Sequence, residues 1–202
     1  TALAQLTCWT VTARTRQRPV KDFSETPAAP SPGGKELSLD PDHPPEPVPS
    51  AEKQLPLEIL PQPDDTTCGP TCLHAVYRFY GSSLTLQEVA EQIPRLPTGG
   101  TLTSILARHA LSQGFRATIH TYNLQVFDPT WFNLPPHELA RKLEARAQFK
   151  RGTKAALAAR NYLQFLNEGG QFRFEDLTTG LIRHYIEDRQ IPVLTGLSAT
   201  YL

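Results

Sequence analysis

Between Glu25 and Ser50 the chain reads ETPAAPSPGGKELSLDPDHPPEPVPS, with eight prolines and almost no large apolar side chains. Nothing else in the sequence restricts the fold as strongly. Each proline fixes φ and removes a backbone donor. So little apolar surface cannot offset the entropy of ordering the chain. The 202-residue sequence is thereby divided. Residues 1–54 are expected to form a disordered proline-rich arm or linker, and residues 55–202 a single domain. Cys8 and Trp9 fall inside the arm and are expected to be an exposed pair.

Charge and cysteine usage narrow the function classes. Lys and Arg number 20 and are balanced by 20 Asp and Glu. Phosphate binding needs a basic excess, so a nucleic-acid partner is not expected. No run of about 18 apolar residues exists, and no transmembrane segment is expected. Three cysteines, an odd number, do not build a disulfide scaffold. A reducing, cytoplasmic compartment is the simplest expectation. The chain opens on Thr1 and contains no methionine, so the native start is expected to lie upstream.

Past residue 54, helical and extended patterns alternate with clear stops. LPLEILPQ reads as a short extended edge segment. A helix is expected to open at Cys68, with Pro70 in its first turn and Leu73, Val76, Tyr77 and Tyr80 on one face, ending at Gly81. Thr85 and Glu88 form a capping box for a second helix through Ile93. SILARHALSQ is a third, capped by Thr101 or Thr103. RATIHTYN (116–123) reads as a strand, and FDPTWFNLPP as a loop. HELARKLEARAQFK and TKAALAARNYLQFLN are two more helices, the second stopped by Gly169 and Gly170. FEDLTTGLIRHYIEDRQ reads as another helix, and IPVLTGLSA as an apolar strand. The strands are too few to make a sheet.

The stretch that carries chemistry is QPDDTTCGPTCLHAVYRFYG (62–81). Unpaired N–H groups and the positive end of the helix dipole stabilise negative charge on a group at a helix N-terminus, and a thiolate is the reactive form of cysteine. Cys68 has that position. Gly69 and Pro70 keep bulk away from the sulfur. Gln62 can offer an amide N–H to a developing oxyanion. Cys72 lies one turn deeper and is expected to be a small buried hydrophobe. A structural thiol competes with the catalytic reading of Cys68. A zinc site lacks ligands nearby, and two cysteines four apart on a helix bridge poorly. Asp64 and Asp65 read as turn residues.

With Gln62, Cys68-Gly69-Pro70 and the helix ending Tyr77-Arg78-Phe79-Tyr80-Gly81, the chain resembles the papain-like cysteine peptidases that trim double-glycine leaders from bacteriocin precursors, and among these the stand-alone bacterial relatives. The resemblance spans about residues 57–202 and is sharpest over 62–81. It implies a papain-like α+β fold, with the nucleophile helix packed on an antiparallel sheet. It also implies a peptide or protein substrate and no cofactor or metal. Cys68 would be the nucleophile and Gln62 the oxyanion-hole donor. In that family the histidine base and its Asp or Asn partner come late, after a strand matching 191–198. The chain is therefore expected to be truncated before them. Residues of about 136–188 exceed the compact family members and read as a helical insert.

Of the six histidines, His120 is the best internal candidate for a base because it lies in a strand. His74 projects away from the helix start. His109 and His184 sit in amphipathic helices, His137 near a helix start and His43 in the arm. Trp131, Phe132, Phe127 and Tyr122 either line a cleft or pack the loop onto the core. The sequence thus supports thiol-dependent cleavage of a peptide or amide bond. Its alternatives are a peptidase-like domain that binds peptides without cutting them, and a partner role through the helical insert.

Overall fold

A computed structural model describes residues 8–13, 54–96, 99–149 and 152–196. Its frame is a four-stranded sheet of β1 (Cys8–Thr12), β2 (Arg116–His120), β3 (Gln171–Arg173) and β4 (Val193–Thr195), in the spatial order β3-β2-β1-β4. The helices are α1 (Cys68–Phe79), α2 (Leu86–Gln92), α3 (Thr103–Ser112), α4 (Pro136–Phe149), α5 (Lys154–Asn167) and the short α6 (Thr179–Arg183). The α+β class expected from the sequence holds.

The first correction concerns the arm. Residues 8–12 are not a linker but a central strand, paired antiparallel with β2 through Cys8↔His120, Trp9↔Ile119 and Val11↔Ala117, and with β4 through Trp9↔Leu194. Cys8 and Trp9 are 1% and 2% exposed, not an exposed pair. The physical signal is the alternation in CWTVT. Successive strand side chains point to opposite faces, so Trp9 and Val11 enter the main core while Cys8 and Thr10 face the other way. The arm's proline-rich part, 14–53, lies outside the described residues.

The second correction concerns the sheet. It is mixed rather than antiparallel, because β2 and β3 run parallel, with Ile119↔Phe172 in register. The α4–α5 hairpin forms the crossover between them, as parallel neighbours require. The supposed insert is therefore part of the frame: Leu139, Leu143, Ala147, Ala159, Tyr162 and Phe165 are in the hydrophobic core, and β3 is an edge strand. Conversely, LPLEILPQ forms no strand and is mostly exposed.

Handedness explains the layering. The β2-to-β3 crossover moves one way along the sheet. The β3-to-β4 connection moves the other way, passing over β2 and β1. Such connections are nearly always right-handed, so the two belong on opposite faces. The core with α1, α3, α4 and α5 covers the face bearing Trp9, Val11, Ala117 and Ile119. Residues 175–192 cross the back face, which bears Cys8, Thr10 and His120; Glu175 and Tyr185 both reach His120 there. FEDLTTGLIRHYIEDRQ is thus not one helix. The Thr178 side chain accepts from the Leu181 amide and starts α6 only there. A π-turn, His184–Asp188, follows directly.

Candidate functional site

Cys68 is the first residue of α1, exposed, with a free thiol. The preceding loop is held by Asp64. Its Oδ1 accepts from the Thr66 amide (2.8 Å) and hydroxyl (2.7 Å), and Arg95 donates to its Oδ2 at 3.1 Å. These bonds, the Thr66 hydroxyl first, hold the Asp64 carboxyl below its ordinary value. Thr67 occupies the N-cap position but does not cap. Its hydroxyl donates to the Asp64 carbonyl at 2.8 Å and accepts from the Asp64 amide at 3.2 Å. Among the described residues the amides of Cys68 and Gly69 therefore have no acceptor. Pro70, the next position, has no N–H to satisfy. The mouth of α1 presents a thiol beside two open backbone donors, the arrangement that oxyanion stabilisation uses.

Gly69 packs closely against α3. A Cβ there would stand 2.9 Å from Leu106 Cδ1. Gln62 lies in the exposed segment leading to the loop. Among the described residues it forms no hydrogen bond, so neither it nor Cys68 is fixed by a side-chain partner. Cys72 departs from expectation: it is exposed rather than buried. Its thiol is pushed up from the ordinary value by the desolvation it does undergo and then by the nearby Cys68.

The described histidines are all engaged elsewhere or lie apart from Cys68. His74 is buried on α1 itself. His109 lies between the Tyr77 hydroxyl, 2.8 Å from its Nδ1, and Gln92 Oε1, which accepts from Nε2 at 3.0 Å. His137 is largely exposed, and His184 bonds Asp188 on the same turn. His43 lies outside the described residues.

His120 has the partner a catalytic imidazole needs, since its Nδ1–H donates to Glu175 Oε1 at 2.6 Å. The sheet nevertheless separates it from α1. Trp9 and Ile119 pack with Leu73, Val76 and Tyr77 of α1 in one core. His120, one residue past Ile119, therefore faces the back. Burial lowers its affinity for a second proton, more than Glu175 and its hydrogen bond raise it.

Of the loop aromatics, Phe127, Trp131 and Phe132 pack onto the core, while Tyr122 is exposed. Phe127 is fully buried, and Phe132 stacks on Phe174 with centroids 4.5 Å apart. Sequence reasoning missed Cys8 and Glu175 as neighbours of His120. Strand alternation in CWTVT could have located Cys8, but Glu175 needed the position of β3. Among the described residues no group of three or more His, Cys, Asp and Glu is placed to hold a metal ion, and no helix is long and apolar enough to cross a membrane. Comparison with family models, curated proteins and solved structures gave no match.

Proposed function

We propose that this protein is a papain-like, thiol-dependent hydrolase of peptide or amide bonds, with Cys68 as nucleophile, and that leader-peptide processing is the reaction class its motif resembles. The observation that carries this is the exposed Cys68 thiol at the uncapped mouth of α1. Attack by the Cys68 sulfur on a substrate carbonyl would place the developing oxyanion near the amides of Cys68 and Gly69. Gln62, on the loop entering the helix, is the proposed side-chain donor. An imidazole must accept the thiol proton and return it to the leaving amine. No described histidine lies against Cys68, so this base is proposed to come from outside the described residues. The substrate is a peptide or protein, and the proposed compartment is the reducing cytoplasm.

A second reading follows from that separation of thiol and imidazole: a peptidase-like domain that binds peptides at the α1 mouth without cleaving them. One experiment divides the two. The natural full-length protein and its Cys68→Ala variant are incubated with a defined peptide mixture and analysed for new termini. Products from the wild type alone support the hydrolase. Equal peptide binding by both proteins, with no products, supports the binding module.

A further inference from the structure

Residues 175–192 form a strap over the back of the sheet, following Phe174, which still packs into the main core against Phe127 and Phe132. They leave β3 at one edge and enter β4 at the other, crossing β2 and β1 on the face opposite the core. The strap is lightly anchored, since none of residues 175–191 is buried. It carries two backbone irregularities close together. One is the π-turn His184–Asp188. The other is Gln190, a non-glycine residue at φ 53°. π-turns and left-handed non-glycine residues each cost free energy relative to regular helix and recur at sites that change conformation.

Two side chains of the strap, Glu175 and Tyr185, reach the same residue. Glu175 accepts the His120 Nδ1–H at 2.6 Å, and the Tyr185 ring stands edge-on to the imidazole at 5.2 Å. His120 itself is 2% exposed, and among the described residues its buried Nε2 has no hydrogen-bond partner. A buried, unpartnered imidazole nitrogen is costly. It becomes more costly still if it must carry a proton, because the N–H would then be an orphan donor in a charged ring.

We propose that His120, Glu175 and Tyr185 form a proton-operated latch that holds residues 175–192 across the back of the sheet and releases them when His120 takes up a second proton. The charged and titratable groups around the imidazole are Glu175 and Arg173 from β3 and the segment after it, Tyr185 from the π-turn, and Cys8 from β1. Arg189 lies further along the strap. Glu175 favours a charged imidazole, while Arg173 and burial oppose it, and burial dominates. The closed strap therefore excludes the second proton. With the strap lifted, water reaches His120, which takes up the proton near its ordinary value of about 6.5. Opening is then linked to one proton and rises by no more than about tenfold per pH unit below that value.

Cys8 provides the readout. It is 1% exposed on the face the strap covers, and Glu175 and Tyr185 both lie within electrostatic range of its thiol. The full chain is labelled with a dipyridyl disulfide, which reacts with thiols at acid pH, between pH 7.5 and 5.0. Modification of Cys8 is measured against the exposed Cys72 as an internal standard, since the proposed nucleophile Cys68 has its own pH dependence. The latch predicts a several-fold rise in the Cys8:Cys72 ratio below pH 6.5, and a flat ratio in His120→Gln. Amide exchange of residues 179–189 in the unmutated protein keeps the test valid if that variant does not fold. These amides should lose protection at pH 5.5 while those of Trp9 and Ile119 keep theirs. A constant ratio, or loss of protection in strap and core together, overturns the latch.

Discussion

The hydroxyl of Tyr80 donates a hydrogen bond of 2.8 Å to the main-chain oxygen of Val11, joining the residue that ends α1 to a strand 69 positions earlier. The chain between them contains all of the proline-rich stretch. The contact thus fixes the helix bearing Cys68 against the centre of the sheet. Removing the hydroxyl leaves the Val11 carbonyl without this donor. Tyr80→Phe is expected to lower stability by about 1 kcal/mol, read as a fall in thermal midpoint of roughly 2–4 °C for a chain of this size. An unchanged midpoint would mean that the bond is not formed in solution.

Trp9 tests whether the first strand belongs to the fold. Its side chain lies in the main core with residues of α1, α3 and β2. Trp9→Ala should cost about 3–5 kcal/mol, because lost burial and the cavity left behind add. Urea unfolding of the variant measures this. A change below about 1 kcal/mol would return residues 8–12 to the role of a linker.

Cys8 gives the protein a distinct alkaline response. Burial first, and Glu175 second, push its thiol from 9.0 to about 11. The folded state therefore keeps the thiol proton longer than the unfolded chain does. The resulting stability is fully present below pH 9 and is lost as pH rises through about 11. The loss amounts to about 3 kcal/mol, from roughly 1.4 kcal/mol per pH unit. The Tyr77 phenol, also pushed upward by burial, adds to the loss at higher pH. Denaturant titrations from pH 8 to 11 should show a shallower decline in Cys8→Ala than in wild type. Parallel declines would show that Cys8 ionises freely in the folded state.

The capping box that starts α2 is a local feature whose contribution is separable. Thr85 accepts from the Glu88 amide, and the Glu88 carboxylate accepts from the Thr85 amide at 2.7 Å. Thr85→Ala should cost about 1 kcal/mol without affecting Cys68 chemistry. Thermal melts, together with the rate of Cys68 alkylation, check both parts. A change in that rate would show that α2 influences the α1 mouth.

What was legible in the sequence was local. The Thr85-x-x-Glu88 box, the start of α1 at Cys68 and the stops at Gly81 and Gly169 are set by residues within a few positions, and the structure has them where the sequence places them. What was not legible depended on pairing across long separations. CWTVT carries a strand's alternation, but five residues ahead of a proline-rich stretch do not show what they pair with, and its partners lie more than 100 positions away. QFR in β3 is three residues long and gains its identity only beside Ile119. The α4–α5 hairpin resembled an insertion because its role as a parallel crossover depends on that same strand. At the site, the exposure of Cys68 followed from its position at a helix start. The separation of His120 from it follows from strand parity, which could be assigned only once Trp9 and Ile119 were known to share the core.

The most direct test of the central claim is the appearance of new peptide termini when the natural full-length protein meets a defined peptide mixture, compared with its Cys68→Ala variant. The account predicts cleavage at discrete sites by the wild type and none by the variant, with both proteins equally stable, since an exposed side chain on the first helical turn contributes within about 0.5 kcal/mol. Identical products from the two proteins, or none from either, would contradict Cys68 as a catalytic nucleophile.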